Sequence, residues 1–100
     1  MARAVIQMPH DELARFCRRH RIRSLALFGS VLRDDFRADS DVDVLVEFEP
    51  EAEIGFIALN QARRDLARLL RRPVDLVPRD GLKPIIRDSV LATAEELYAA

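Results

Sequence analysis

The segment Asp41–Phe48, DVDVLVEF, alternates with a period of two. In an extended chain Val42, Val44, Val46 and Phe48 fall on one face, and Asp41, Asp43, Leu45 and Glu47 on the other. It therefore reads as a strand with one apolar face turned to a core. The consequence for chemistry lies on the opposite face. Asp41 and Asp43 point the same way, with Cα atoms about 6.7 Å apart, so their carboxylates can converge beyond the sheet. At a separation of about 5 Å they would repel by roughly 3 kcal/mol at an effective dielectric near 20. A cation between them offsets that repulsion. Mg²⁺ suits the position, because it prefers oxygen ligands and is commonly held by one or two carboxylates together with substrate phosphates.

The rest of the chain supplies the elements such a strand needs. Pro9-His10-Asp11-Glu12 has the proline and acidic residues of a helix entrance. Leu13, Phe16, Cys17 and His20 follow at helical spacing, and that helix is expected to end between His20 and Ile22. Ser24–Phe28 is a short apolar run stopped by Gly29, the pattern of a buried strand. A brief helix is expected from Ser30, which can serve as its N-cap, to Arg33 or Asp35. Between residues 54 and 72 Leu59, Ala62, Leu66, Leu69 and Leu70 form an apolar stripe opposite Arg63, Arg64, Asp65 and Arg68, and Pro73 ends the helix. Val74–Val77 is a third short strand, closed by Pro78 and the Asp80-Gly81 turn. A last helix, from Lys83 or Pro84 to Tyr98, would place Ile86, Val90, Ala94 and Leu97 on one face. This order predicts an α/β (α+β) fold, a small mixed sheet with helices packed on one face.

One hundred residues, 49% of them hydrophobic, suffice for one domain with a modest core, and residues 1–100 are expected to form a single one. A formal charge of −1 argues against a general nucleic-acid binder, so no direct nucleic-acid contact is expected. No apolar run approaches the roughly 20 residues of a membrane span, and the start MARAVIQMPHDEL lacks the apolar stretch of a secretory signal. The expected location is the cytoplasm, without a membrane partner. Cys17 is the one cysteine, which excludes an internal disulfide and a thiolate metal cluster and leaves a small core residue. Arg15, Arg18, Arg19, Arg21 and Arg23 crowd one region, and Glu47, Glu49, Glu51 and Glu53 another; each block reads first as a solvated face. His10 and His20 have no carboxylate or cysteine at ligand spacing and belong to a helix entrance and a helix face. Asp34, Asp35 and Asp39 fall in a loop, where aspartate is common for turn formation.

A third carboxylate, Asp75, stands on the Val74–Val77 strand, and three carboxylates suffice for two metals about 3.5–4 Å apart, a clamp for phosphoryl or nucleotidyl transfer. Gly29-Ser30 completes the set. A glycine after a buried strand lets backbone approach a phosphate, and the first N–H groups of a helix favour negative charge.

Gly29-Ser30, ten intervening residues and Asp41-Val42-Asp43 together resemble the signature of the nucleotidyltransferase superfamily, in its minimal branch of small single domains. The resemblance runs from Leu25 through Asp75, with the tail from Leu82 to Tyr98 similar to the closing helix of that branch. It implies that Asp41, Asp43 and Asp75 are the catalytic metal ligands, holding two Mg²⁺ ions, with Asp75 also near the attacking hydroxyl. It implies that Gly29 and Ser30 hold the phosphates of ATP, and that Arg33 neutralises phosphate charge. One departure is that the glycine usual soon after that arginine is replaced by Asp34-Asp35.

For this branch the resemblance also implies a partner and a role. The partner is a helical HEPN-domain ribonuclease toxin, and transfer of AMP from ATP to one of its tyrosines silences it, which makes the chain an antitoxin. Two alternatives stand beside this expectation. The chain could block its partner by occlusion alone, although a pure scaffold has no use for three acidic positions. It could instead modify a small molecule, which requires walls that 100 residues scarcely provide.

Overall fold

The structure is a computed structural model that describes residues 10–29 and 41–99. Its elements in chain order are α1 (His10–Arg19), β1 (Ile22–Phe28), β2 (Val42–Phe48), α2 (Phe56–Leu70), β3 (Val74–Pro78), a 3₁₀ turn (Arg79–Gly81), α3 (Pro84–Thr93) and β4 (Glu95–Ala99). The brief helix expected at Ser30 lies outside the described residues.

The four strands form one mixed sheet in the order β3-β2-β1-β4. β1 runs antiparallel to both β2 and β4, whereas β2 and β3 are parallel. A parallel pair cannot be joined by a tight turn, and α2 makes the crossover between β2 and β3. Where the parallel pairing begins, the Val42 N–H donates to the Pro73 carbonyl at 2.9 Å. That bond sets Asp41 and Val42 beside the entry to β3.

Strand period divides the sheet as the sequence predicts. Val42, Val44 and Val46 are buried, together with Leu25 and Leu27 of β1 and Val74 and Leu76 of β3. Leu13, Phe16 and Cys17 of α1 and Ala62, Leu66 and Leu70 of α2 close this core from the helical side. Burial pushes the Cys17 thiol up to about 12, against a smaller opposing pull from Arg18, so it stays protonated and packs as a small apolar group. His20 completes the α1 face: its Nε2 lies 2.8 Å from Asp65 Oδ2, tying the end of α1 to α2. Leu66 has no exposed surface. Leu66→Ala is expected to lower the unfolding free energy by about 2–5 kcal/mol, read in urea as a lower midpoint at unchanged slope.

Element ends follow local chemistry. α2 stops at Arg71, which takes the left-handed conformation (φ 57, ψ 39) and donates its N–H to the Ala67 carbonyl. The stop therefore comes before Pro73. α1 ends in the same way, with Arg21 at φ 58, and β1 begins at Ile22, two residues earlier than expected.

The C-terminal region differs from the sequence expectation. The helix predicted to reach Tyr98 ends at Thr93, and Ala94 turns to extended backbone (φ −64, ψ 142). Glu95–Ala99 then pairs with β1, Leu25 opposite Tyr98 and Ala26 opposite Glu96. The edge of β1 would otherwise present unpaired N–H and C=O groups, and filling it outweighs one more helical turn. Leu97 and Tyr98 consequently reach the core from a strand. The face expected to bury Ile86 is not covered: α3 has no buried residue, and Ile85 and Ile86 are exposed. α1 and α2 thus cover one face of the sheet, while α3 borders the other.

Candidate active site

The face of the sheet away from α1 and α2 carries the carboxylates. Asp43 of β2 and Asp75 of β3 are direct partners in the parallel register, so their Cα atoms stand one strand spacing apart, about 4.8 Å, with side chains on the same face. Asp41 precedes β2 by one residue and lies two residues before Asp43, which returns it to that face. Asp41 and Asp75 are exposed and Asp43 is half-buried. Sequence reasoning placed three carboxylates on two strands; the parallel register brings the strands together at the matching residues.

Gly29 approaches from the other side. It closes β1 directly after Phe28, the antiparallel partner of Asp43, and has φ 74. A Cβ at Gly29 would run into the Asp43 carboxylate oxygen and stand 3.2 Å from its Cγ. Two independent constraints therefore demand glycine: backbone in the left-handed region, and an Asp43 side chain packed where a methyl would be. Ser30 and Arg33, the other expected phosphate-binding residues, lie outside the described residues.

The donor set suits a hard divalent cation: carboxylate oxygens alone, partly exposed, with room left for water and phosphate oxygens. Asp41, Asp43 and Asp75 would hold it. Among the described residues no three His, Cys, Asp or Glu side chains are gathered about one point. The backbone register brings the three positions together, and side-chain rotation governs whether their oxygens meet.

Farther along the same face lies a set that the sequence reading passed over. Glu47, four residues beyond Asp43 on β2, accepts a hydrogen bond from the Ser24 hydroxyl at 3.3 Å and pairs with Arg79 at 3.6 Å. Ser24 comes from β1 and Arg79 from the turn after β3, so only the assembled sheet unites them. The sequence signal was the outward position of Glu47 in the strand alternation. The arginine block divides as well: Arg15 and Arg19 of α1 line a groove with Arg68 and Arg71, on the helical side away from the carboxylates.

Comparison with known proteins gives a consistent picture. Residues 11–96 match the family model described as the nucleotidyltransferase domain. The protein adenylyltransferase MntA of Thermococcus cleftensis is 41% identical over 71 residues, 70% of this chain and 69% of that protein. A solved structure of a toxin–antitoxin with AMP-PNP superimposes with a TM-score of 0.72 at 21% identity, covering 93% of this chain and 75% of that chain. A chain from the complex of tri-AMPylated Shewanella oneidensis HEPN toxin with MNT antitoxin gives 0.65 at 22% identity, covering 91% and 70%. At those identities the two structures show a shared fold. Among the described residues no helix is long and apolar enough to cross a membrane.

Proposed function

The chain belongs to the nucleotidyltransferase domain family, in its MntA-type protein adenylyltransferase branch, and on that premise we propose that it is a single-domain antitoxin that transfers AMP from ATP to a tyrosine hydroxyl of a cognate HEPN ribonuclease. The observation that carries this reading is the register match of Asp43 with Asp75, with Gly29 packed against Asp43. A binding scaffold needs neither of these features. The relatives support the partner class, since the structures sharing this fold include toxin–antitoxin complexes, one with an AMPylated HEPN toxin.

The reaction joins the acceptor oxygen to the α-phosphorus of ATP, breaks the bond between the α-phosphorus and the bridging oxygen to the β-phosphate, and releases pyrophosphate. Mg²⁺ bound by Asp41, Asp43 and Asp75 would neutralise phosphate charge and lower the pKa of the attacking hydroxyl. Asp75, exposed on the edge strand β3, stands open to an incoming partner and takes up the hydroxyl proton. Asp41 and Asp43 orient the phosphates from the neighbouring strand. Gly29 leaves the space in which the Asp43 carboxylate can hold that position, and we propose that Ser30 and Arg33 follow it onto the phosphates.

The test uses the purified chain, its cognate HEPN ribonuclease, Mg²⁺ and ATP labelled at the α-phosphate. Label is expected on a tyrosine of the partner, with ribonuclease activity falling in proportion. Absence of label, with inhibition surviving the Asp41→Asn plus Asp43→Asn double variant, would instead make the chain an antitoxin that acts by occlusion.

A further inference from the structure

A groove of about 460 Å³ lies between α1 and α2, on the side of the molecule away from the carboxylates, and the transfer reaction makes no use of it. Its rims are basic. Arg15 and Arg19 lie one turn apart on α1, with Arg68 and Arg71 opposite them at the end of α2, and all four are exposed. Phe16 and Leu69 give the groove an apolar floor. Its two carboxylates are Glu12 and Asp65, and Asp65 is already engaged by His20 at 2.8 Å and by Arg68 at 3.7 Å. Among the described residues Arg15, Arg19 and Arg71 have no ion-pair partner. A chain with a formal charge of −1 thus gathers four guanidinium groups in one place and leaves three of them uncompensated. Helix dipoles account for Arg19 and Arg68, which stand in last turns where a cation is favoured, but Arg15 lies mid-helix.

Resting on the reading above that the acceptor is a protein, we infer that this groove docks an acidic, amphipathic helix of the cognate ribonuclease, at a place separate from the transfer site. The charge pattern carries the choice of occupant. Two rows of arginine across an apolar floor complement a helix that presents an apolar residue flanked by Asp or Glu one turn apart. Guanidinium groups hold carboxylates in bidentate pairs and are more weakly hydrated than ammonium groups, which suits them to an interface. A nucleic-acid strand fits less well. Its phosphates meet Glu12 with repulsion, and Phe16 is too deeply buried to stack a base. The position agrees with a second contact to the same partner. One wall of the groove reaches Arg71, the C-cap of α2, and the chain passes from there into edge strand β3 and Asp75. A partner seated on the groove therefore reaches Asp75 around that edge of the sheet.

The experiment uses the full chain, the intact cognate ribonuclease, and a short peptide copied from that protein around its acceptor tyrosine, which lacks the docking helix. Calorimetry gives the dissociation constant of the ribonuclease, and AMP transfer to both acceptors is measured with Mg²⁺ and ATP, for the unsubstituted chain, Arg15→Glu and Arg19→Glu. Each variant is expected to weaken ribonuclease binding about tenfold or more and to raise its KM to match, with kcat and transfer to the peptide within about twofold. Added salt should weaken binding by the unsubstituted chain more than by either variant. Arg15→Gln removes the charge without reversing it and carries the test, with a smaller loss expected, if reversal disturbs α1. Amide exchange in the complex should slow in α1 and at the end of α2, and on the ribonuclease in a helix with acidic residues one turn apart. Unchanged ribonuclease affinity in the variants, an equal loss toward the peptide, or protection that leaves α1 untouched overturns the inference. Single-stranded RNA that binds the unsubstituted chain and is lost by the same variants, with ribonuclease affinity intact, gives the groove to nucleic acid and overturns it too. Absence of transfer to either acceptor by the unsubstituted chain overturns the proposed function, while the binding comparison still decides whether the groove docks the ribonuclease.

Discussion

Asp43→Asn is expected to reduce AMP transfer by about a thousandfold or more, the scale on which removing one preorganised charge from a transfer site acts. Among the three aspartates Asp43 has the most constrained place. It lies on an inner strand, flanked in register by Phe28 of β1 and Asp75 of β3, and it packs against Gly29. Asparagine keeps the size and removes the charge, so the substitution opens no cavity. Thermal unfolding measured beside activity separates the two effects: transfer should collapse while the midpoint moves by no more than a few degrees. Transfer within about tenfold of the unsubstituted chain would remove Asp43 from the catalytic set.

Gly29→Ala is expected to harm both activity and stability, by different amounts. The added methyl meets a positive φ of 74 and the Asp43 carboxylate together. Strain at such a backbone position costs about 1–3 kcal/mol, readable as a lower denaturation midpoint. Displacing Asp43 by even about 1 Å from its working position can cost a hundredfold in rate, so transfer should fall by at least that factor while most of the protein stays folded. A folded Gly29→Ala protein with nearly full transfer would show that the turn and the carboxylate are not mechanically linked.

The contrast between β2 and the C-terminal region explains how far the sequence was legible. In β2 every outward and inward residue follows from a period of two, and buried Val42, Val44 and Val46 confirm that pattern. α2 is legible for the same reason, since Ala62, Leu66 and Leu70 recur at helical spacing and are buried. Residues 84–99 also contain a helical apolar pattern, yet a strand takes the last five of them. Spacing alone cannot settle a short apolar segment, because the open edge of β1 competes for it and that edge exists only once the sheet has formed.

The candidate site divides along the same line. Asp41, Asp43 and Asp75 could be singled out because each interrupts or borders an apolar strand. Asp65 could not be matched to His20, nor Arg79 to Glu47, since these pairs join residues far apart along the chain. No local rule connects side chains brought together by a parallel crossover.

What the sequence by itself determined is the direction of each side chain along its own element: valines to one side of β2, aspartates to the other, leucines of α2 along one stripe. Those directions follow from backbone stereochemistry, which is local. Only the tertiary structure decided which strands are neighbours and in what register, that Asp75 faces Asp43, that Gly29 closes against it, and that residues 95–99 complete the sheet. These choices depend on satisfying backbone hydrogen bonds and burying apolar faces across the whole chain, and those energies are defined only when the elements meet.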